Sequence, residues 1–342
     1  MKYTLYFFLQ IFLIFSCSTE KKQTLEVNLY SQRHYSVDEK QYAAFEKETG
    51  IKVNVIKANA DELIERMKNE GDNGPADLFI TVDAGKLFRA KELGLLQKFS
   101  SKKINNQIIN AVKDPSGYWI PITYRARIIV YSNERVNKED LSTYEDLSNP
   151  KWQSKILVRS STNSYNQALM SSIVAHLGED KALEWAKAVV SNFSRDPKGS
   201  DRDQVKAIAA GQGDVAIVNS YYIGLLLSSE REEELNAGNS ISVFFPNQEE
   251  GERGTHINVS AIGLTKNSPN KENAIKLIEY LTSKKAQMLY TAHSFEYPVN
   301  PEVKPDPIVQ KWGEFKKDSL DLNKLGEFRE EAVLIFDKAG WK

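Results

Sequence analysis

Five side chains with phenol or imidazole groups stand shortly after segments that are predicted as β-strands. They are His34 and Tyr35 after LEVNLY, Tyr165 after KILVRS, and Tyr221 and Tyr222 after GDVAIVNS. A phenolate oxygen is a hard donor, and several phenols with one imidazole suit a small, highly charged cation. The pattern therefore predicts a metal site, and it favours ferric iron over zinc or copper.

Phenol ligands restrict which cation such a site can hold. A free phenol has a pKa of about 10, so ionising one at pH 7 costs roughly 4 kcal/mol, and ionising four costs on the order of 16 kcal/mol. Only a strongly charged cation offsets that cost. Four phenolates and a neutral imidazole around Fe³⁺ leave one net negative charge, which a guanidinium group can balance. The candidates for that role are Arg33, Arg125 and Arg127.

The amino-terminal residues resemble an export signal. Lys2 precedes an apolar run over residues 3–15, which is too short to span a bilayer but has the length of a signal-peptide core. The run ends in LIFSC, which resembles a bacterial lipobox. Cys17 is the only cysteine, so it can form no internal disulfide and is predicted as a lipid attachment site; the alternative is a membrane anchor with an incidental cysteine. We predict a signal peptide over 1–16 and a lipid-anchored tether over 17–24, on the periplasmic or outer surface of a bacterial cell envelope.

Composition excludes some classes of partner. The chain has 342 residues, 27% charged and 41% hydrophobic, as is typical of a soluble globular protein. Removing residues 1–16 takes away one of the 45 Lys and Arg residues, which leaves 44 against 46 Asp and Glu and a net charge of −2. A nucleic-acid partner is not expected, because that would require a strong basic excess. The roughly 326 remaining residues suffice for two domains.

Strand-like and helix-like segments alternate along the chain, which favours a largely parallel sheet covered by helices. Ser36 and Glu39 are spaced as a capping box for the first helix, and Gly50 is placed to end it. The predicted strands are 25–30, 51–56, 77–80, 155–160, 213–220, 241–245 and 257–264, and the predicted helices include 36–45, 59–67, 83–93, 163–176, 180–191, 270–291 and 326–338.

Two long extended stretches, 117–132 and 255–264, are predicted to cross between two α/β lobes. Lobe 1 would comprise 25–121 with about 256–300, and lobe 2 would comprise 122–255 with about 301–342. Ligands of open α/β sheets bind beyond the carboxyl ends of strands, so the site is expected in the cleft between the lobes. His256 lies in the second stretch, where a structural role is favoured over one in the cleft.

Several motifs together resemble one known family. They are LYSQRHY at 29–35, YRAR at 124–127 with Val130 and Tyr131, RSSTNSYNQ at 159–167, GDVA at 213–216 and NSYY at 219–222. On these segments, which extend across most of the mature chain, the protein resembles the ferric-iron substrate-binding lipoproteins of ABC importers, a clade of the type II periplasmic binding proteins. That resemblance implies a two-lobed fold, each lobe a mixed, mainly parallel sheet flanked by helices, with two crossover strands.

The resemblance also implies a function and a site. The chain would capture ferric iron in the cleft and deliver it to a membrane permease with its ATPase, acting as a monomer and not as an enzyme. The implied iron ligands are Tyr35, Tyr165, Tyr221 and Tyr222, with His34 as a fifth. Arg33, Arg127 and the helix start near Asn163 are the groups expected around those ligands or around a bound anion.

One mechanistic question stays open at this point. If His34 and Tyr35 both coordinate, the protein nearly encloses the ion and no further anion is needed, which is the version we favour. If they do not, carbonate or citrate is expected to complete the coordination.

Other functions remain as alternatives. A binding protein of the same fold could take an organic cation or oxyanion such as a polyamine, thiamine or a phosphonate, with Trp119, Trp152 and Trp185 as aromatic contacts. A surface adhesin or sensor would share the fold but lack a permease. The sequence has no G-x-S-x-G, H-E-x-x-H, Walker A or G-x-G-x-x-G motif, which argues against most familiar enzyme classes.

Overall fold

The computed structural model describes residues 25–33 and 35–342. The predicted signal peptide, the tether with Cys17, and His34 therefore lie outside the described residues. Within the described ranges, no helix combines the length and the apolar character that crossing a bilayer requires.

Strands and helices alternate over most of the chain. The strands are β1 Glu26–Ser31, β2 Lys52–Lys57, β3 Leu78–Thr81, β4 Trp119–Ser132, β5 Ile156–Leu157, β6 Val215–Asn219, β7 Ile241–Phe244, β8 Ile257–Leu264 and β9 Tyr297–Pro298. The helices are α1 Ser36–Thr49, α2 Ala60–Glu70, α3 Ala84–Glu92, α4 Lys102–Gln107, α5 Ser164–Leu177, α6 Glu179–Ser191, α7 Asp201–Ala209, α8 Tyr221–Leu227, α9 Glu232–Asn239, α10 Lys271–Leu281, α11 Lys284–Ser294, α12 Pro307–Gln310, α13 Lys324–Glu327 and α14 Arg329–Ala339.

The strands form one mixed sheet in the order β2-β1-β3-β8-β4-β6-β5, with β7 and β9 also paired to β4. β1 runs parallel to β2 and β3, and β5 runs parallel to β6, whereas β8 is antiparallel to both β3 and β4. Residues 119–126 of β4 pair with β8, and residues 127–131 pair with β6. The long strand β4 therefore belongs to both halves of the sheet.

Separate apolar cores lie on the two halves. One core includes Val27, Leu78 and Ile262, and we call the part of the chain around it lobe 1. Two further cores lie on opposite faces of the second half, where Ile129 packs on one face and Val130 on the other, as expected from the alternation of side chains along a strand. We call the part around these two cores lobe 2.

The carboxyl-terminal segment contributes to both lobes. The sequence analysis placed residues from about 301 to 342 with lobe 2, and the residues of α14 such as Ile335 and Phe336 do pack in a lobe 2 core. Leu322 and Leu325, however, pack in the core of lobe 1. The short helix α13 packs against both α3 and α5 and therefore lies at the boundary between the lobes, whereas α14 lies within lobe 2.

Local chemistry explains where the elements near the site begin. The first helix starts at Ser36 and ends at Gly50, whose φ of 71° is the left-handed conformation that favours glycine. The predicted capping box of Ser36 and Glu39 is not formed, because Ser36 is already the first helical residue and Tyr35 occupies the capping position without a side-chain bond. A capping box between Ser200 and Asp203 is formed, and it starts α7.

Candidate metal site

Each predicted tyrosine ligand stands at the amino-terminal end of a helix. Tyr35 immediately precedes α1, and Tyr165 is the second residue of α5. The Asn163 side chain caps α5 by accepting a hydrogen bond of 3.0 Å from the backbone N–H of Tyr165. Tyr221 and Tyr222 are the first two residues of α8, directly after β6. Three separate helix starts therefore direct phenols toward one region.

The four phenols are in contact with one another. The Tyr221 hydroxyl donates to the Tyr165 hydroxyl over 3.3 Å, and the Tyr35 ring meets the Tyr221 ring edge-on at a centroid distance of 6.2 Å. The rings of Tyr221 and Tyr222 are only 4.2 Å apart and tilted by 32°, although successive helical residues point about 100° apart. Tyr35 follows β1 of lobe 1, whereas Tyr165 lies on α5 and Tyr221 and Tyr222 lie on α8, directly after β6 of lobe 2. Tyr221 also packs against the core of lobe 1, so the cluster lies where the two lobes meet.

Burial keeps three of these phenols, those of Tyr35, Tyr221 and Tyr222, neutral unless a cation binds. Desolvation is the main cause that raises the pKa of Tyr35 and of Tyr221 well above the ordinary value. Burial also raises the pKa of Tyr222 to about 12, with further raising from neighbouring Tyr165. A cation at this site must therefore displace protons, which strongly favours a highly charged ion.

Guanidinium groups lie close to the phenol rings. The Arg33 guanidinium carbon is 4.7 Å from the Tyr35 ring centre, and those of Arg125 and Arg159 are 5.4 Å and 5.7 Å from the Tyr165 ring centre. Positive charge at these positions favours the phenolate forms that a metal requires. The sequence reasoning missed Arg159, although it lies within the RSSTNSYNQ motif, six residues before Tyr165.

The two arginines singled out from the sequence have carboxylate partners. Arg33 is buried and pairs with Asp38 at 3.0 Å and with Glu296 at 3.5 Å. Arg127 is buried and pairs with Asp201 at 3.0 Å. These pairs hold both guanidinium groups in place beside the cluster.

Arg125 also lies beside the cluster. One of its nitrogens donates to the Val82 carbonyl, and Nη1 is buried without a hydrogen-bond partner among the described residues. With Tyr165 and His256 it lines a narrow polar gap between the lobes. Among the described residues, Arg33 Nη2, Arg127 Nε and Arg159 Nε are likewise buried without a partner, so Arg125 is one of four guanidinium groups with an unused donor around the cluster.

The charges around the cluster nearly balance. Arg202, 5.9 Å from the Tyr222 ring centre, is paired with Glu234 at 3.9 Å, so this pair does not change the net charge. Apart from that pair, four guanidinium groups stand with three carboxylates, which leaves one positive charge, and four phenolates around Fe³⁺ would carry one negative charge. The cations are Arg33, Arg125, Arg127 and Arg159, and the carboxylates are Asp38, Asp201 and Glu296.

The remaining histidines do not add a ligand cluster. Burial is the main cause that lowers the pKa of His256 to about 3, so its imidazole is neutral beside Arg125. His176 is hydrogen-bonded to Asp318 at 2.8 Å, away from the phenols. No group of three or more His, Cys, Asp or Glu residues in the described ranges is arranged to hold a metal. Within these ranges the tyrosine cluster is the candidate site.

The phenol cluster and the two-lobed architecture define a binding protein, and the family follows from comparison with known proteins. Residues 40–317 match the bacterial extracellular solute-binding proteins, and the chain belongs to this family. It is 46% identical to iron uptake protein A1 of Synechocystis, over 93% of this chain and 88% of that protein.

Solved structures agree with this assignment. The Trichodesmium protein IdiA, or FutA, determined in complex with iron and citrate ligands, is 46% identical, with a TM-score of 0.88 over 93% of this chain and 100% of that one. The ferric binding protein of Campylobacter jejuni is 41% identical, with a TM-score of 0.86 over 92% of this chain and 100% of that one. The predicted two-lobed periplasmic binding protein fold is confirmed.

Proposed function

We propose that this chain captures ferric iron in the cleft between its lobes and delivers it to an ABC importer. The observation that carries the proposal is the cluster in which Tyr221 contacts Tyr35, Tyr165 and Tyr222. Relatives above 40% identity are named for iron uptake or ferric binding, which supports iron over an organic cation or oxyanion as the solute.

The proposed ligands are these four phenolates, with His34 as a fifth donor. His34 immediately precedes Tyr35 in the sequence. The phenolates supply the negative charge that a trivalent cation requires, and the nearby guanidinium groups offset the surplus. The site binds and releases iron without chemical conversion, and the chain is not an enzyme.

The role of an anion follows from the charge balance. We favour binding without one, because the four phenolates already exceed the charge of Fe³⁺. In the alternative version, carbonate or citrate completes the coordination, and the free Nη1 of Arg125 is a donor placed to meet it. The Trichodesmium structure contains citrate beside iron, which makes citrate the natural anion to test.

The proposal extends to the location and partners of the protein. Cys17 is the lipid attachment site of a monomer held at the surface of a bacterial membrane by a short tether. The permease and ATPase of an importer receive the iron. The crossover stretches divide the chain into lobe 1, 25–121 with about 256–300, and lobe 2, 122–255 with about 301–342, apart from the α13 region that packs on lobe 1.

The mature chain can be tested for iron directly. Adding ferric citrate at neutral pH should give one iron per chain and a visible tyrosinate charge-transfer band. The band should persist after exchange into carbonate-free and citrate-free buffer if no anion is needed. Loss of the band there and recovery on adding bicarbonate would establish the anion-dependent version. A protein that takes up no iron and develops no colour would rule out the proposed function.

A further inference from the structure

Outside the phenol cluster, one ion pair connects the lobes at the junction of α13 and α14. α13 packs against α3 of lobe 1 so closely that a Cβ at Gly326 would lie 2.5 Å from the Phe88 side chain. α14 begins two residues later, at Arg329, and packs in a core of lobe 2. Arg329 therefore stands where the chain passes from one lobe to the other.

The Arg329 guanidinium bridges side chains of both lobes. Its Nη1 donates to Oδ2 of Asp83 over 2.9 Å, and its Nη2 donates to Oε1 of Gln167 over 2.5 Å. Asp83 belongs to lobe 1, directly after β3, and Gln167 belongs to α5 of lobe 2. The side chains of Arg329 and Asp83 are 18% and 1% exposed, so water weakens this pair less than it weakens a surface pair.

Asp83 is fixed in lobe 1 independently of this contact. Its Oδ1 accepts hydrogen bonds from the Gly85 backbone N–H at 3.1 Å and from the Asn258 side chain at 3.0 Å. Burial alone would raise the pKa of Asp83, and Arg329 is the largest of the influences that keep it lowered. If the lobes separate, this buried carboxylate loses its main cationic partner.

Gln167 connects the bridge to a proposed iron ligand. It follows Tyr165 by two residues on α5, and its Nε2 donates to the Ser161 carbonyl over 3.0 Å. Its backbone N–H donates to the carbonyl of Asn163, the residue that caps α5. A path of hydrogen bonds therefore runs from Asp83 in lobe 1 through Arg329 to the loop that positions Tyr165.

We propose that Arg329 is a positioning residue that latches the closed cleft and holds the Tyr165 loop, so that it slows iron release without touching the ion. A contact made only in the closed form favours that form by its full differential free energy. This inference rests on the proposed function, because it concerns how long the cleft retains its cargo.

The first test measures iron release. Iron-loaded mature chain is mixed with excess EDTA, and the loss of the visible band is followed with time. Arg329→Gln should release iron about ten-fold faster than the wild type, within the range usual for coupling between sites. The band maximum should not move, because the phenol ligands are intact. Arg329→Lys keeps the charge but cannot bridge both partners, so its rate of iron release should lie between those of the wild type and Arg329→Gln.

Matched variants separate a latch from a general loss of stability. Arg135 pairs with Asp214 at 2.7 Å within lobe 2, so Arg135→Gln removes a comparable ion pair that does not connect the lobes and should leave release unchanged. Asp83→Asn should reproduce the Arg329→Gln effect, and the double variant should release iron no faster than the single ones. Unchanged release in both Arg329→Gln and Asp83→Asn would overturn the latch.

X-ray scattering of the iron-free protein keeps this inference distinct from the proposed function. If the wild type binds iron, the release rates show whether Arg329 acts as a latch. If the wild type binds no iron, the proposed function fails and scattering decides: a larger radius of gyration for Arg329→Gln than for wild type supports the latch, and equal radii overturn it. Should Arg329→Gln fail to fold, Asp83→Asn and Arg329→Lys take its place in both measurements.

Discussion

At the scale of single residues, the site is a cluster of buried phenols whose protons a cation must displace. The raised pKa of Tyr222, about 12, and the raised pKa values of Tyr35 and Tyr221 make ionisation without metal more costly than for a free phenol. The arrangement therefore discriminates by charge, since a divalent ion recovers less of that cost than a trivalent one. A site built from these phenols is therefore expected to bind Fe³⁺ more tightly than Fe²⁺.

Substitution of Tyr221 is the most direct test of the proposed iron ligands. Tyr221→Phe keeps the ring that contacts Tyr35 and Tyr222 but deletes the oxygen that bonds to Tyr165. Iron affinity should fall by at least about a hundred-fold, since even groups that only support a ligand are worth ten-fold to a hundred-fold. Tyr280→Phe, in the core of lobe 1, is the control and should bind normally. Competition with a chelator measures both, and equal affinities would remove Tyr221 from the ligand set.

Acid should release the iron. Every coordinating phenolate regains a proton when the ion leaves, and burial raises the pKa values of Tyr221 and Tyr222, so lowering the pH drives release. Affinity should fall by up to roughly ten-fold per pH unit for each phenol that takes up a proton. Chelator competition from pH 8 to pH 5 measures the slope. A flat profile would mean that groups other than phenols hold the metal.

The tyrosines were visible in the sequence because each follows a strand-like segment and has a recognisable motif. The charged residues that surround these tyrosines were not visible in the sequence. Glu296 reaches Arg33 across 263 positions of chain, and Arg329 reaches Asp83 across 246. Tertiary packing brings such partners together, so neither residue spacing nor hydrophobic periodicity in the sequence predicts them.

At the scale of elements, helix starts do the positioning. The capping bond of Asn163 fixes the first turn of α5, and with it the backbone of Tyr165. The sequence predicted this helix well, but it predicted one helix over 270–291 where α10 and α11 are separate. The two helices are separate because the Ser283 side chain caps the start of α11 by accepting a hydrogen bond from the Ala286 N–H. The apolar periodicity of the sequence continues across this break and therefore does not predict it. The break arises because Ser283 has an extended backbone conformation and caps the second helix.

Substitutions at two helix caps, Asn163 and Asn59, test whether the Asn163 cap positions Tyr165. Asn163→Ala and Asn59→Ala should each cost about 1 kcal/mol of stability, because each removes a side chain that caps a helix. Only Asn163→Ala should also weaken iron binding, since α2 lies away from the phenols. Denaturant unfolding and chelator competition measure the two effects. A similar loss of iron affinity in both variants would show that stability, not position, is responsible.

At the scale of the whole molecule, the proposed iron site lies between the lobes. Tyr35 approaches from lobe 1, and Tyr165, Tyr221 and Tyr222 approach from lobe 2, so binding all four favours the closed form. The sequence predicted two lobes and a cleft between them from the order of strands. It did not predict the passage of the chain through α13 and α14, because Leu322 and Leu325 are few residues in an irregular segment and their packing partner is decided by the assembled fold.

Closure can be followed by scattering. Saturating the wild-type protein with ferric iron should reduce its radius of gyration relative to the iron-free form. The Tyr221→Phe variant at the same iron concentration should stay closer to the iron-free value, because it lacks one of the bonds that cross the cleft. Identical dimensions with and without iron in the wild type would argue against ligand-induced closure.

The shared strand β4 has a consequence for how the protein melts. Its residues 119–126 are bonded within the half-sheet of lobe 1 and residues 127–131 within that of lobe 2, so unfolding of either lobe frees one end of a strand that the other lobe still uses. Although the cores are separate, heating should give one calorimetric transition rather than two. The amides in the middle of β4 should exchange with deuterium only through global unfolding, and they should be among the slowest in the protein.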